Sequence, residues 1–155
     1  MSFKVVIADD RYPHYREETA ALAALGATPT LCKSAEPAKV QEVCADADGI
    51  IVNLAPMNAE VIAALRKCRV ISRYGVGYDN VDVPAATAQG IWVANVPDYC
   101  GEDVSDQAMA LLLACVRKVA ARDRQLRAGV WQTQADGPQW RIKGKTFAFF
   151  GFGQI

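Results

Sequence analysis

Phe3-Lys4-Val5-Val6-Ile7-Ala8-Asp9-Asp10 decides the fold. A continuous β-branched run that stops at two acids is the pattern of a short strand covered on both faces, which is how strands of a parallel sheet are buried. Downstream, similar runs alternate with helical periodicity as far as Ala94. Tyr15, Thr19 and Leu22 share a helical face that ends at Gly26, and Thr28–Leu31 forms the second strand. Ser34 caps a short helix bearing Val40, Val43 and Cys44, and Gly49–Leu54 is the third strand. Asn58 caps a helix with Val61, Leu65 and Cys68 at i, i+4 and i+7, and Val70–Ser72 and Ile91–Ala94 complete the set. Strands that alternate with helices specify βαβ units, so the class is α/β with a mostly parallel sheet.

The rhythm changes at Asp103. Val104, Ala108, Leu111, Leu112, Cys115 and Val119 keep helical spacing with no glycine or proline before Gly129. The spacing predicts one helix of roughly 39 Å at about 1.5 Å per residue, long enough to cross a domain boundary or to pair with a second chain. Its second half carries Arg117, Lys118, Arg122, Arg124 and Arg127 against Asp123, a solvated or intersubunit face. Gly129 to Lys145 reads as a loop-rich connection.

Composition narrows the function. The 155 residues hold 17 basic and 17 acidic side chains and are 52% hydrophobic. That balance supplies no field to gather nucleic acid or an anionic membrane, and neither is expected as a partner. No apolar run approaches the roughly 20 residues of a membrane span, and the start lacks a signal peptide's features, so a cytoplasmic protein is expected. The five cysteines, 32, 44, 68, 100 and 115, form no CxxC and read as free thiols. His14, the one histidine, reads as a solvated residue near a helix start, and no metal site is expected.

Two glycine patterns carry chemistry. Gly144-Lys145-Thr146 leads into an apolar strand Phe147–Phe150 and then Gly151-Phe152-Gly153-Gln154-Ile155, the opening of a GxGxxG turn. In such a turn the first glycine makes the bend and the second lets the backbone approach a pyrophosphate. Arg73-Tyr74-Gly75-Val76-Gly77-Tyr78-Asp79-Asn80 follows the fourth strand, where alternate glycines can bare N–H groups as an anion nest beside a cation.

These motifs, with Asn95-Val96-Pro97, Val104-Ser105-Asp106 and Leu126-Arg127-Ala128-Gly129, together resemble the NAD-dependent D-isomer-specific 2-hydroxyacid dehydrogenases. The stretch from Val96 to Asp106 is most similar to the C-terminal-binding-protein-like branch. The resemblance implies a flavodoxin-like substrate domain over residues 1–98. Residues 99–155 would then be an interdomain helix, which also builds a homodimer, and the start of an incomplete Rossmann domain. It further implies that the Val76 and Gly77 backbone, with Arg73, binds a substrate carboxylate. Val104 would meet the nicotinamide, and Gly151, Gly153, Gln154 and Ile155 would line the pyrophosphate of NAD; NADP stays open as the alternative, because the sequence does not distinguish the two. Gln154 and Ala148 depart from the family's usual arginine and glycine without touching the backbone chemistry.

The implied activity is reversible reduction of a 2-oxo acid to a small D-2-hydroxy acid. The family's catalytic arginine, acid and histidine lie downstream of the glycine turn, so residues 1–155 are expected to be the N-terminal part of a longer enzyme, unable to catalyse alone. Tyr74, Tyr78 and Tyr99 suggest a site tolerant of apolar substituents. Two alternatives compete: a non-catalytic, nucleotide-sensing binding protein of the corepressor-like kind, and a receiver-like module built on Asp9 and Asp10. The second places Asn53 where phosphoryl transfer needs an aspartate.

Overall fold

The computed structural model describes residues 3–132, 137–151 and 153. It divides into two compact units, Met1–Tyr99 and Cys100–Ile155.

The first unit runs β1 (Val5–Ile7), α1 (Arg16–Ala23), β2 (Pro29–Leu31), α2 (Pro37–Cys44), β3 (Gly49–Val52), α3 (Ala59–Ala63), β4 (Val70–Arg73), α4 (Val83–Ala88) and β5 (Trp92–Ala94). The strands form one sheet in the order β2-β1-β3-β4-β5, every pair parallel, which is the flavodoxin-like winding. Register places Val5 opposite both Pro29 and Gly49, and Val52 opposite Arg73. Val6, Ala8, Ile50, Val52 and Ile71 meet Val40, Val61, Ile62 and Ala86 of the helices in one buried cluster. Each such fully buried valine or isoleucine contributes about 1.5–3 kcal/mol.

Local chemistry explains the element ends. Asn58 Oδ1 accepts the Val61 N–H at 3.0 Å and Asp82 Oδ1 accepts that of Ala85 at 2.9 Å, each satisfying an orphan donor of a helix start. Gly26, at φ +65°, takes the left-handed position after α1 that a side chain would make costly.

Several expectations need correction. Ser34 does not cap α2; the helix starts at Pro37 after Glu36, and the Ser34 hydroxyl instead accepts the Glu36 N–H in a local turn. The helix after Asn58 ends at Ala63, although Leu65 and Cys68 are still buried beyond it.

In the second unit the single long helix is two, α5 (Gly101–Arg117) and α6 (Val119–Arg127). Lys118 breaks them by adopting φ 56°, ψ 35°, a left-handed position that usually goes to glycine or asparagine and so left no mark in the residue pattern. Phe147–Phe150 is not a strand. A strand exists only within a hydrogen-bonded ladder, and no other described segment pairs with these residues. Phe150 is accordingly fully exposed.

Candidate functional site

Parallel winding sends the loops after β1, β3, β4 and β5 to the carboxyl edge of the first unit's sheet. Three side chains tie these loops together. The Asp9 carboxylate, buried at the end of β1, accepts backbone N–H groups from Asn53 at 2.9 Å and Ala55 at 2.8 Å, and from Leu54 between them. The Asn80 amide donates to the Asn53 and Ala55 carbonyls at 3.2 and 2.9 Å, joining the β4 loop to the β3 loop. Asn95 Nδ2 donates to the Val76 carbonyl at 2.8 Å, and the Val96 N–H reaches the Gly75 carbonyl at 3.2 Å.

The last two contacts orient the Gly75–Gly77 turn. Its carbonyls at 75 and 76 are engaged, while the N–H groups of Val76 and Gly77 donate to no group among the described residues. Arg73 precedes the turn. It forms no ion pair among the described residues, and its Nε is buried without a hydrogen-bond partner. A Cβ at Gly75 would overlap Arg73 Nη1, the far end of a long side chain, and stand 3.3 Å from the Tyr99 hydroxyl. Two free N–H groups next to an unpaired guanidinium are equipped to receive a carboxylate or another small oxyanion.

Tyr74 stands beside this turn. Its hydroxyl donates to Glu18 Oε1 at 2.8 Å, and its ring meets Tyr12 edge to face at 5.2 Å. Burial, and then the bond to the Glu18 carboxylate, push the Tyr74 phenol well above its ordinary value, so it stays protonated at any physiological pH. Tyr12 also accepts from Asn53 Nδ2 at 3.0 Å. Tyr78 and Tyr99 are exposed.

The structure brings Arg73, Val76 and Gly77 into one turn of the first unit. Val104 lies in the first turn of α5, and Gly151, at φ +104°, and Gly153 belong to the second unit. Phe152, Gln154 and Ile155 lie outside the described residues. His14 is exposed, with Nδ1 3.4 Å from Glu17 Oε2. Asp9 and Asp10 do not form the paired acids of a receiver, since Asp9 is turned inward onto three N–H donors. Among the described residues no cluster of three or more histidine, cysteine or acidic side chains is placed to hold a metal. None of their helices is long and apolar enough to cross a membrane.

The clamps made by Asp9, Asn80 and Asn95 escaped sequence reasoning. Asp9 bonds across 44 to 46 positions of chain, and no local spacing announces that. The one available signal was a carboxylate directly after a fully apolar strand, where burial demands donors.

Comparison with known proteins agrees with this architecture. The family model for the D-isomer specific 2-hydroxyacid dehydrogenase catalytic domain matches residues 5–146. A glyoxylate reductase of Pyrococcus furiosus is 38% identical over 124 residues, 76% of this chain and 37% of that protein. A D-3-phosphoglycerate dehydrogenase of Mycobacterium leprae is 43% identical over 112 residues, 71% of this chain and 21% of that protein. The chain therefore spans about a third or less of either relative. Among solved structures, the NAD+-bound 3-phosphoglycerate dehydrogenase of Entamoeba histolytica superposes with a TM-score of 0.67 at 27% identity, covering 76% of this chain and 40% of that one. With the winding of the sheet and the match over most of its length, the chain belongs to the D-isomer specific 2-hydroxyacid dehydrogenase family.

Proposed function

We propose that this chain supplies the substrate-anchoring domain, residues 1–98, and the start of the dinucleotide-binding domain, residues 99–155, of a D-2-hydroxyacid dehydrogenase. The reaction is reversible reduction of a small 2-oxo acid to its D-2-hydroxy acid. The observation that carries this reading is the turn at Val76 and Gly77, whose free N–H groups stand beside the unpaired Arg73. Both relatives named above are dehydrogenases or reductases of small acids, which supports the same substrate class here.

In this reading the residues of the chain bind and orient. The Val76 and Gly77 N–H groups take the two oxygens of the carboxylate and Arg73 neutralises its charge. Fixing the carboxylate fixes the adjacent C2, the carbon that must face the cofactor, so the contribution is one of orientation. Asp9, Asn80 and Asn95 keep the turn in place, so no loop has to be ordered when substrate arrives.

A nicotinamide cofactor, NAD or NADP, supplies the hydride when bound. A Cβ at Gly151 or Gly153 would meet nothing within 4 Å, so the backbone there is open to close approach. Gly151, Gly153, Gln154 and Ile155 would hold the pyrophosphate, and Val104 would lie against the nicotinamide. Exposed Met109 and Leu113, four residues apart on one face of α5, fit a homodimer formed along that helix, and the reading places the enzyme in the cytoplasm.

The test is oxidation of NADH or NADPH, followed at 340 nm, by the protein expressed from its natural gene with glyoxylate or hydroxypyruvate. Reduction of glyoxylate to the achiral glycolate, or of hydroxypyruvate to the D enantiomer of glycerate, is expected. Absence of turnover with both acids and both cofactors sinks the proposal.

A further inference from the structure

Gly75 sits at the centre of the turn, and its hydrogen atom faces the Arg73 guanidinium. The position a Cβ would take is filled by Arg73 Nη1, with Arg73 Cζ 3.2 Å and the Tyr99 hydroxyl 3.3 Å away. The backbone does not demand glycine there. Six other glycines of the chain adopt positive φ, whereas Gly75 does not, so a left-handed backbone is not what calls for glycine there. What excludes a side chain at this position is the arginine.

We infer that Gly75 is a positioning residue: the missing side chain is the seat of the Arg73 guanidinium, and this seat aims the cation at the anion-binding turn. The inference rests on the carboxylate reading of that turn. Three features converge on it. Gly75 is buried, so a methyl group could not turn aside into solvent. Arg73 Nε is buried and unpartnered and no described acid pairs with the side chain, so packing at Gly75 is the restraint on the guanidinium. The Gly75 carbonyl is held by the Val96 N–H at 3.2 Å, which stops the turn from sliding to make room. An added methyl group therefore pushes Arg73 away and leaves the N–H pair of Val76 and Gly77 in place.

The experiment is a double-mutant cycle on the whole chain, labelled with nitrogen-15 and titrated with oxamate, a non-reacting mimic of a 2-oxo acid. Binding is read from the Val76 and Gly77 amide shifts. Arg73→Ala is expected to weaken oxamate about tenfold, the size of one charge-assisted hydrogen bond. Gly75→Ala is expected to weaken it by a similar factor, and the double variant to bind no more weakly than Arg73→Ala alone.

Wild-type affinity in Gly75→Ala, or a double variant weakened by the product of the two factors, overturns the inference and leaves the carboxylate reading standing. An unaltered affinity in Arg73→Ala, or no oxamate shift at Val76 and Gly77 in the wild type, overturns both. Should Gly75→Ala alone fail to fold, the double variant decides: recovery of the folded spectrum supports the seat, and continued unfolding overturns it.

Discussion

Asp9 Oδ2 accepts the Ala55 N–H at 2.8 Å, joining the end of β1 to the loop after β3 across 46 positions of chain. The same oxygen accepts the Leu54 N–H, and Oδ1 accepts that of Asn53 at 2.9 Å. Asp9→Ala takes the acceptor from three N–H donors, of which that of Ala55 is fully buried, and is expected to cost about 3 kcal/mol. Asp9→Asn keeps one acceptor oxygen for Leu54 and Ala55 but turns an amide against the Asn53 N–H, so its cost falls between alanine and wild type. Urea denaturation of the three proteins checks the order. Equal stability of Asp9→Ala and wild type would show that the clamp contributes nothing.

The visibility of each feature followed the range of the interaction behind it. β1 and β3 were readable because Val5-Val6-Ile7 and Gly49-Ile50-Ile51-Val52 are covered on both faces, and burial writes itself into composition. The Asn58 cap and the Gly26 stop were readable because a cap acts within four residues. The turn at Gly75–Gly77 was readable as an anion nest from its glycines, yet Gly75 serves a different end, making room for Arg73. The break at Lys118 was hidden because a lysine in the left-handed region carries no local sign. Phe147–Phe150 misled because apolar composition suits a strand, while strandhood depends on a neighbour.

Asn95 acts on the candidate site at one remove. Its amide holds the Val76 carbonyl at 2.8 Å and so turns the Val76–Gly77 peptide N–H toward open space. Asn95→Ala is expected to lower stability by about 1 kcal/mol, the worth of one hydrogen bond. It is also expected to weaken oxamate several-fold, because the turn then has to be ordered on binding. Titration alongside Asn95→Asp checks the contact: the aspartate has no N–H to offer Val76 and adds a negative charge beside the anion-binding turn, so it should bind oxamate at least as poorly as alanine. Wild-type affinity in both variants would remove Asn95 from the site.

Acid should loosen the amino-terminal edge of the sheet. The Lys4 N–H at 2.8 Å, followed by the Lys67 ammonium at 3.0 Å, holds the Asp48 carboxyl below its ordinary value of 3.8. A carboxyl depressed in the folded state adds stability that is complete above the unfolded value and is lost as pH falls through the folded one. The Asp48 contribution is therefore constant at neutral pH and fades below about pH 4. Exposure and salt screening keep it small. Thermal melts between pH 3 and 7 check this: Asp48→Asn should lie below wild type at pH 7, and the gap should narrow as pH falls below the ordinary carboxyl value of 3.8. A constant offset at every pH would contradict the linkage.

Three thiols should be silent until the protein unfolds. Cys32, Cys44 and Cys68 are buried. Burial, followed by the neighbouring Cys32 and Cys68, pushes the Cys44 thiol up to about 12, and burial raises Cys68 as well. Alkylation needs the thiolate, so at pH 8 Cys44 presents almost none and has no route to the reagent. Native protein treated with iodoacetamide is expected to leave all three unmodified, and the same reaction in concentrated urea should modify all five cysteines. Peptide mass mapping identifies the sites. Because labelling requires opening, the rate at Cys44 reports the free energy of exposing the core between α2 and the sheet, and it should rise in Asp9→Ala by the factor that its stability loss predicts. Rapid modification of Cys44 in the native wild type would contradict the packing of this core.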